Sequence, residues 1–229
     1  HPVVSAPSQR RHHNERANAT SVLFVGNFAH APNITAAIWL VNTIWPLVIA
    51  QRPDLQLLIV GKNPPNDLKS DESVEILGYV DNLSELLNSV GLGVAPLLEG
   101  AGVKGKVLSA LAHGLPMVTT SIGAEGIINN ERHCDAITQA DSTEAFAAEI
   151  LAYFELNQEE HQRRADNGKQ FIDEHFSSCS LINRFISMLT TLNLPYHNNT
   201  SSFIPYQPRS SDRRYNHTNS FNHWSHPLA

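Results

Sequence analysis

The sequence predicts a doubly wound α/β fold with a mostly parallel sheet, and two observations support this prediction. First, the middle of the 229-residue chain alternates between short apolar runs and amphipathic helical patterns. Such alternation is typical of βαβ units, which build parallel sheets. Second, the apolar runs are continuous, as in strands that are buried on both faces. We therefore expect one domain of ordinary size, flanked by polar tails.

The predicted strands are short and leave room for a helix between most neighbours. They comprise residues 21–26, 56–60, 74–77, 92–95, 116–119 and 136–138. Helices are predicted over residues 33–51, 83–90, 104–113, 142–156, 159–175 and 177–191, and Asn82 and Ser142 are their candidate caps.

In sheets of this kind, ligands bind beyond the carboxyl ends of the strands, near the point where the strand order reverses. The loops that follow the predicted strands are therefore the candidate functional loops, namely those after Gly26, Val60, Leu77, Ala95 and Thr119.

The two ends of the chain differ in composition from its middle. Residues 1–20 are polar and lack periodicity, which predicts a flexible linker. Residues 192–229 are rich in Asn, Ser, His and Pro, which predicts a disordered tail. The folded domain is accordingly placed at residues 21–191. Because the chain begins with His1 instead of Met, we interpret it as a piece of a longer protein.

Charge and composition exclude several classes of function. A formal net charge of −6 without a basic stripe argues against a nucleic-acid partner. No run of 18 apolar residues and no signal peptide is found, so a cytoplasmic location is expected, with the membrane surface as the alternative. The 12 histidines are scattered, so no metal site is expected. Cys134 and Cys179 are interpreted as free thiols.

The segment from Gly100 to Lys106 carries the strongest chemical signal. It places three glycines and two lysines between a predicted buried strand and a helix. Glycines let the backbone approach a bulky anion, and the N-terminus of the helix favours negative charge. Lys104 and Lys106 add cations that form charge-assisted hydrogen bonds. The segment therefore suits a diphosphate, although a tight turn with solvated lysines would give the same pattern.

Two better-known phosphate-binding motifs do not fit. A P-loop requires Ser or Thr after its Gly-Lys pair, where this chain has Val107, and it normally follows the first strand. A dinucleotide-binding loop requires further glycines after Gly26, which is followed here by Asn-Phe-Ala-His. Neither an NTPase nor a nicotinamide-dependent enzyme is therefore expected.

Four stretches of this sequence, in order and spacing, resemble glycosyltransferase family 4. They are Val-Gly-Asn-Phe-Ala-His-Ala-Pro-Asn (25–33), Leu-Gly-Tyr-Val-Asp (77–81), Val-Ala-Pro-Leu (94–97) and the glycine segment with its continuation to Gly126. The resemblance covers residues 21–176. It implies the C-terminal, Rossmann-like, nucleotide-sugar-binding half of a GT-B architecture, in a retaining and metal-independent enzyme that needs no cofactor.

The resemblance also implies roles for individual residues. Gly102, Val103, Lys104 and Lys106 would hold the donor diphosphate and the start of the sugar. Asn27 and His30 would border the phosphate from the first loop. Tyr79 and Val80 would contact the base, and Ser109 would lie at the ribose. Glu125 is interpreted as an ordinary loop carboxylate.

The function that follows is transfer of a hexose-like sugar from a nucleoside diphosphate sugar, UDP or GDP, to a glycan or lipid-linked acceptor. The N-terminal acceptor-binding domain is missing from this chain, so the isolated chain is expected to bind donor without transferring sugar. The family usually has Glu at the position of Ser109. A degenerate, non-catalytic binding or interaction module is therefore the first alternative, and a nucleotide-sugar epimerase is the second.

Overall fold

The computed structural model describes residues 19–66, 68, 71–178, 180–182 and 187–188. Its described residues up to Leu181 belong to one compact unit. The strands are β1 Ser21–Val25, β2 Gln56–Val60, β3 Val74–Gly78, β4 Leu92–Ala95, β5 Met117–Thr119 and β6 Ile137–Gln139. The helices are α1 Ala31–Ile49, α2 Leu83–Ser89, α3 Gly105–Ala112, α4 Ser121–Ala124, α5 Thr143–Phe154 and α6 Gln158–His175.

The six strands form one sheet in the order β3-β2-β1-β4-β5-β6, and every neighbouring pair is parallel. The order reverses between β1 and β4, so the switch point lies between the carboxyl ends of these two strands. The prediction of a doubly wound, Rossmann-like sheet is confirmed.

Alternating strand residues supply the two halves of the core. Val22 and Phe24 of β1 face the layer that contains α1 and α5, where the Trp39 and Phe146 rings meet edge to face. Leu23 of β1 faces the opposite layer, together with Leu111 of α3 and Phe171 of α6. Both faces of the sheet are thus covered, which explains why its strands are continuous apolar runs.

Helix α1 contains a π-helical turn at Leu40–Ile44, just before Pro46. The Trp45 amide bonds to the Leu40 carbonyl, five residues back. A proline inside a helix lacks an N–H and crowds the carbonyl four residues earlier, and the wider turn relieves that crowding. The sequence predicts this helix two residues too late at both ends and does not predict its π turn.

Helix α1 is also long and apolar enough to cross a membrane, with a mean hydropathy of 1.3. One such helix is weak evidence, because core helices have the same length and composition. In this fold, Ala36, Leu40, Ile44 and Val48 of α1 are buried in the core.

Side-chain caps fix the starts of several helices. Asn82 accepts from the Glu85 amide at 3.3 Å, and Ser142 accepts from the Ala145 amide at 3.2 Å, so both predicted caps are confirmed. Thr120 caps α4 by accepting from the Gly123 amide at 3.1 Å. The sequence interpretation did not predict α4, a helix of one turn.

All six predicted strands are present, with bounds shifted by a residue or two. Most of the predicted linker, the predicted tail and most of the predicted helix at 177–191 lie outside the described residues, so the domain bounds stay predictions.

Cys134 has a buried free thiol, and burial raises its pKa to about 11. Cys179 lies outside the described residues.

Candidate functional site at the sheet switch point

Three chain segments meet at the switch point of the sheet. The first loop follows β1 and runs from Gly26 into α1. The glycine segment, Gly100 to Lys106, follows β4 and enters α3. The third segment, α4 with Glu125 and Gly126, follows β5. Every one of these loops lies beyond the carboxyl end of a parallel strand, as the sequence predicts.

The glycine segment has a backbone that only some residues can adopt. Gly100 and Gly102 have φ of +111° and +76°, in the left-handed region. A Cβ atom on Gly102 or Gly105 would meet no heavy atom within 4 Å, so space is open beside both. Val103 closes one side, because a Cβ on Gly126 would approach its Cγ2 to 2.8 Å. The segment is therefore a bent backbone with open space on one side.

Lys104 occupies the N-cap position of α3, and its side chain turns back over the glycine segment. Its Nζ atom donates to the Gly102 carbonyl at 2.6 Å and to the Gly100 carbonyl at 3.3 Å. The same atom forms an ion pair with Glu125 Oε2 at 3.3 Å. The side chain is only 10% exposed. Lys104 thus holds the segment closed on itself, and its charge is partly balanced.

Lys106 lies on the first turn of α3 and reaches across the switch point to the first loop. Its Nζ atom donates to Asn33 Oδ1 at 2.5 Å and lies 5.2 Å from the centroid of the Phe24 ring. Burial lowers the pKa of this ammonium group to about 8, with a smaller contribution in the same direction from the nearby charge of Lys104. Lys106 is therefore a partly buried cation with no carboxylate among its described contacts, which is a favourable place for an anion.

The first loop is organised by its own side chains. Asn27 Oδ1 accepts from the Ala29 amide at 3.1 Å, and the Asn27 carbonyl accepts from Asn33 Nδ2 at 2.7 Å. His30 is the exposed N-cap residue of α1, and its side chain makes no capping bond. The structure therefore places Asn27 and His30 beside the switch point and connects Asn27 to Lys106 through Asn33.

The residues assigned to the base and the ribose lie on two separate elements. Tyr79 and Val80 follow β3, and the Tyr79 ring is 55% exposed with Lys62 Nζ 4.5 Å from its centroid. Ser109 lies in the second turn of α3, where its carbonyl is 2.8 Å from His113 Nδ1. Tyr79 and Val80 thus lie beyond the carboxyl end of β3, and β2 and β1 separate this strand from β4 in the sheet.

Four neighbours of the predicted site residues were not assigned from the sequence. They are Phe24, Asn33, Lys62 and Glu125. The sequence predicts a loop carboxylate at Glu125, and the structure pairs this carboxylate with Lys104 across 21 residues of sequence. Asn33 carried a signal, because it ends the first-loop stretch and polar side chains at switch points are candidates for ligand binding.

A depression of about 350 Å³ lies beside the edge strand β6, away from the switch point, and is lined by residues that include Asp135, Thr138 and Arg163. The Arg163 guanidinium pairs with Glu160 and Asp135. Because this charge is already balanced by two carboxylates, the depression offers less to an anion than the switch point does.

Solved structures share this fold. TarM of S. aureus, in complex with fondaparinux, α-GlcNAc-glycerol and UDP, matches with a TM-score of 0.63 at 16% identity, over 82% of this chain and 38% of that one. HepE of Anabaena, in complex with UDP-glucose, matches with a TM-score of 0.57 at 14% identity, over 76% and 49%. WaaG, a glycosyltransferase involved in lipopolysaccharide biosynthesis, matches with a TM-score of 0.56 at 18% identity, over 73% and 46%.

A protein of Klebsiella pneumoniae, described as an uncharacterized 44.6 kDa protein in the cps region, is 33% identical over 170 residues. The match covers 69% of this chain and 43% of that protein. The chain thus spans less than half the length of these relatives, as expected for one half of a GT-B architecture.

The sequence model of the family Glycosyl transferases group 1 matches residues 19–155. That range contains β1 to β6 and all three loops at the switch point. The chain therefore belongs to the group 1 glycosyl transferases.

Proposed function

We propose that this chain is the donor-binding half of a glycosyltransferase that uses a nucleoside diphosphate sugar. The observation that carries the proposal is the partly buried Lys106 ammonium beside the bent glycine segment, at the N-terminus of α3. Helix N-termini and convergent lysines are suited to a diphosphate. The similarity to structures that hold UDP or UDP-glucose favours UDP over GDP as the nucleotide.

In the proposed reaction, Lys104, Lys106 and the N-terminus of α3 stabilise the negative charge that develops on the departing nucleoside diphosphate. Fixed positive groups aimed at a leaving diphosphate can do so without a metal ion, so the proposal includes metal independence and requires no cofactor. Transfer with retention, and membership of family 4, are part of the same proposal.

A glycan or a lipid-linked glycan is the proposed acceptor. In the proposed enzyme it would bind to the other half of the GT-B architecture. WaaG, by its description, favours a role in lipopolysaccharide biosynthesis. We place that reaction in the cytoplasm, with the membrane surface as the site where a lipid-linked acceptor would be met.

Calorimetric titration of the 229-residue chain with UDP and GDP tests the proposal. We expect binding of UDP and no transfer of sugar from UDP-glucose to added acceptors, because in the proposed enzyme the acceptor binds to the other half of the GT-B architecture. A flat trace at millimolar UDP and GDP would refute donor binding. Turnover of a free nucleotide sugar without any acceptor would instead indicate an epimerase.

One residue favours a second function, that of a binding module without catalysis. Ser109 offers a single hydroxyl at a position where the family that this sequence resembles has a carboxylate. A carboxylate can accept hydrogen bonds from two ribose hydroxyls. If the module is degenerate, Ser109→Glu should raise UDP affinity by about tenfold or more, as expected for recovering a charged hydrogen bond. An unchanged affinity would show that the site does not depend on a carboxylate at this position.

A further inference from the structure

A single amide, that of Asn33, joins Lys106 to the loop after β1. Asn33 Oδ1 accepts from Lys106 Nζ at 2.5 Å, and Asn33 Nδ2 donates to the Asn27 carbonyl at 2.7 Å. The reverse orientation of the amide would place its NH₂ group against an ammonium and its oxygen against a carbonyl. Both neighbours therefore specify the same orientation, and Asn33 links the two sides of the switch point.

The Lys106 side chain needs a hydrogen-bond acceptor to fix the position of its ammonium group. A lysine stem has four carbons and about 2 kcal/mol of rotamer entropy, so its ammonium is not placed by the backbone alone. The groups around this ammonium are the Phe24 ring and the like charge of Lys104, whose carboxylate partner is Glu125. Among the described residues, Asn33 Oδ1 is the atom that accepts a hydrogen bond from Lys106 Nζ.

We propose that Asn33 is a positioning residue, which holds the Lys106 ammonium at the switch point for the donor diphosphate and couples it to the loop after β1. This inference rests on the proposed function. A neutral acceptor suits the task, because it fixes the ammonium without cancelling its charge. A carboxylate at the same position would hold Lys106 more strongly and would repel the diphosphate.

The test is calorimetric titration of UDP-glucose into the wild-type chain, Asn33→Ala, Asn33→Asp and Asn157→Ala. The diphosphate of UDP-glucose is a diester, so it does not titrate near neutral pH. We expect both Asn33 variants to bind about tenfold more weakly, the scale of one lost hydrogen bond to a charged group or one added repulsion. Asn157→Ala removes the cap of α6, where the Asn157 side chain accepts from the Glu160 amide at 2.9 Å, and should leave the affinity unchanged.

The pH dependence separates positioning from a general loss of structure. Affinity for UDP-glucose should fall as the pH rises through about 8, because Lys106 then loses its proton. Loss of the acceptor in Asn33→Ala should shift this midpoint to lower pH, and the carboxylate of Asn33→Asp should shift it to higher pH. His30, Lys104 and Glu125 also lie at these loops, but the variants leave all three in place.

The outcomes distinguish the two proposals. If the wild-type chain does not bind UDP-glucose, the proposed function fails. If the wild-type chain binds and Asn33→Ala matches it in affinity and midpoint, the role of Asn33 is overturned while the function stands. Thermal unfolding is measured in parallel. If both Asn33 variants fail to fold, or if both weaken binding without moving the midpoint in opposite directions, Asn33 is structural and the inference is overturned.

Discussion

Glu125 balances the charge that Lys104 presents to the switch point. The pair is separated by 3.3 Å, and Glu125 is half exposed while Lys104 is nearly covered. Two carbonyls of the glycine segment also hold Lys104, so its position does not depend on Glu125 alone. The carboxylate therefore reduces the positive potential that a diphosphate would meet.

Glu125→Gln should consequently tighten UDP binding. We expect a gain of about two- to fivefold, the scale of a partly exposed charge interaction, and a smaller gain at high salt. Glu131→Gln makes the same change in net charge at an exposed loop residue and should change the UDP affinity little. A weaker affinity for Glu125→Gln, measured by calorimetry at low and high salt, would show that the carboxylate assists binding.

The sequence predicts which residues lie at the site more readily than it predicts which of them contact each other. Gly102, Lys104 and Lys106 stand out because glycines and lysines before a helix have few other uses. The contacts of Lys106 with Asn33 and of Lys104 with Glu125 span 73 and 21 residues, respectively. Such pairs depend on which strands are neighbours, and no local pattern encodes that order.

At the level of the elements, the ends of β1 and β2 approach each other closely. A Cβ atom on Gly61 would lie 1.6 Å from the Gly26 carbonyl oxygen, and the Gly61 amide donates to the Gly78 carbonyl at 2.8 Å. The loops after three strands thus pack backbone against backbone, and a side chain at residue 61 has no space.

Gly61→Ala should therefore lower the free energy of unfolding by about 3 kcal/mol, the scale of forced overpacking at a buried backbone contact. Urea unfolding measures this change. Gly105→Ala is the matched control, because its Cβ would meet no atom within 4 Å and its stability should be equal or slightly higher. Equal stability of the Gly61 variant and the wild type would contradict the close approach.

Ser142 provides a second prediction at this scale. Its side chain accepts from the Ala145 amide at the start of α5. Ser142→Ala should lower the free energy of unfolding by about 1 kcal/mol, whereas Ser142→Asp should keep most of the stability. If Ser142→Ala has the same free energy of unfolding as the wild type, the cap makes no contribution to stability.

Strands were predicted to within a residue or two because fully buried strands leave a continuous apolar run, which few other elements share. The π turn of α1 and the one-turn helix α4 were not predicted, since both depend on tertiary packing. The π turn fits Pro46 into a helix that the core requires, and α4 lies where Gly123 contacts Thr119 and the Ala95 carbonyl.

For the whole molecule, surface carboxylates predict the dependence of stability on pH. Arg52 lowers the pKa of Asp54, hydrogen bonds from Ser73 lower that of Asp71, and Arg163 lowers that of Glu160 to about 2. A carboxyl group with a lower pKa in the folded chain stabilises the fold above its unfolded pKa, near 4. That contribution is lost as the pH falls through the folded pKa.

Urea unfolding at decreasing pH should therefore show its steepest loss of stability between about pH 4.5 and 2. Burial lowers the pKa of His161, so this side chain adds a decline that begins at its unfolded pKa, near 6.5. Glu160→Gln should make the acid decline shallower, because its carboxyl no longer titrates. Stability that stays level between about pH 4.5 and 2 would contradict the role of these carboxylates.

The central claim is that the switch point, with Lys106 at its centre, binds a diphosphate. The most direct test compares UDP affinity by calorimetry for the wild-type chain, Lys106→Met and Lys169→Met, where Lys169 lies on α6 and gives the same change in net charge. We predict a loss of at least about tenfold for Lys106→Met and near wild-type affinity for Lys169→Met. Equal UDP affinity for the wild type and Lys106→Met would contradict the account.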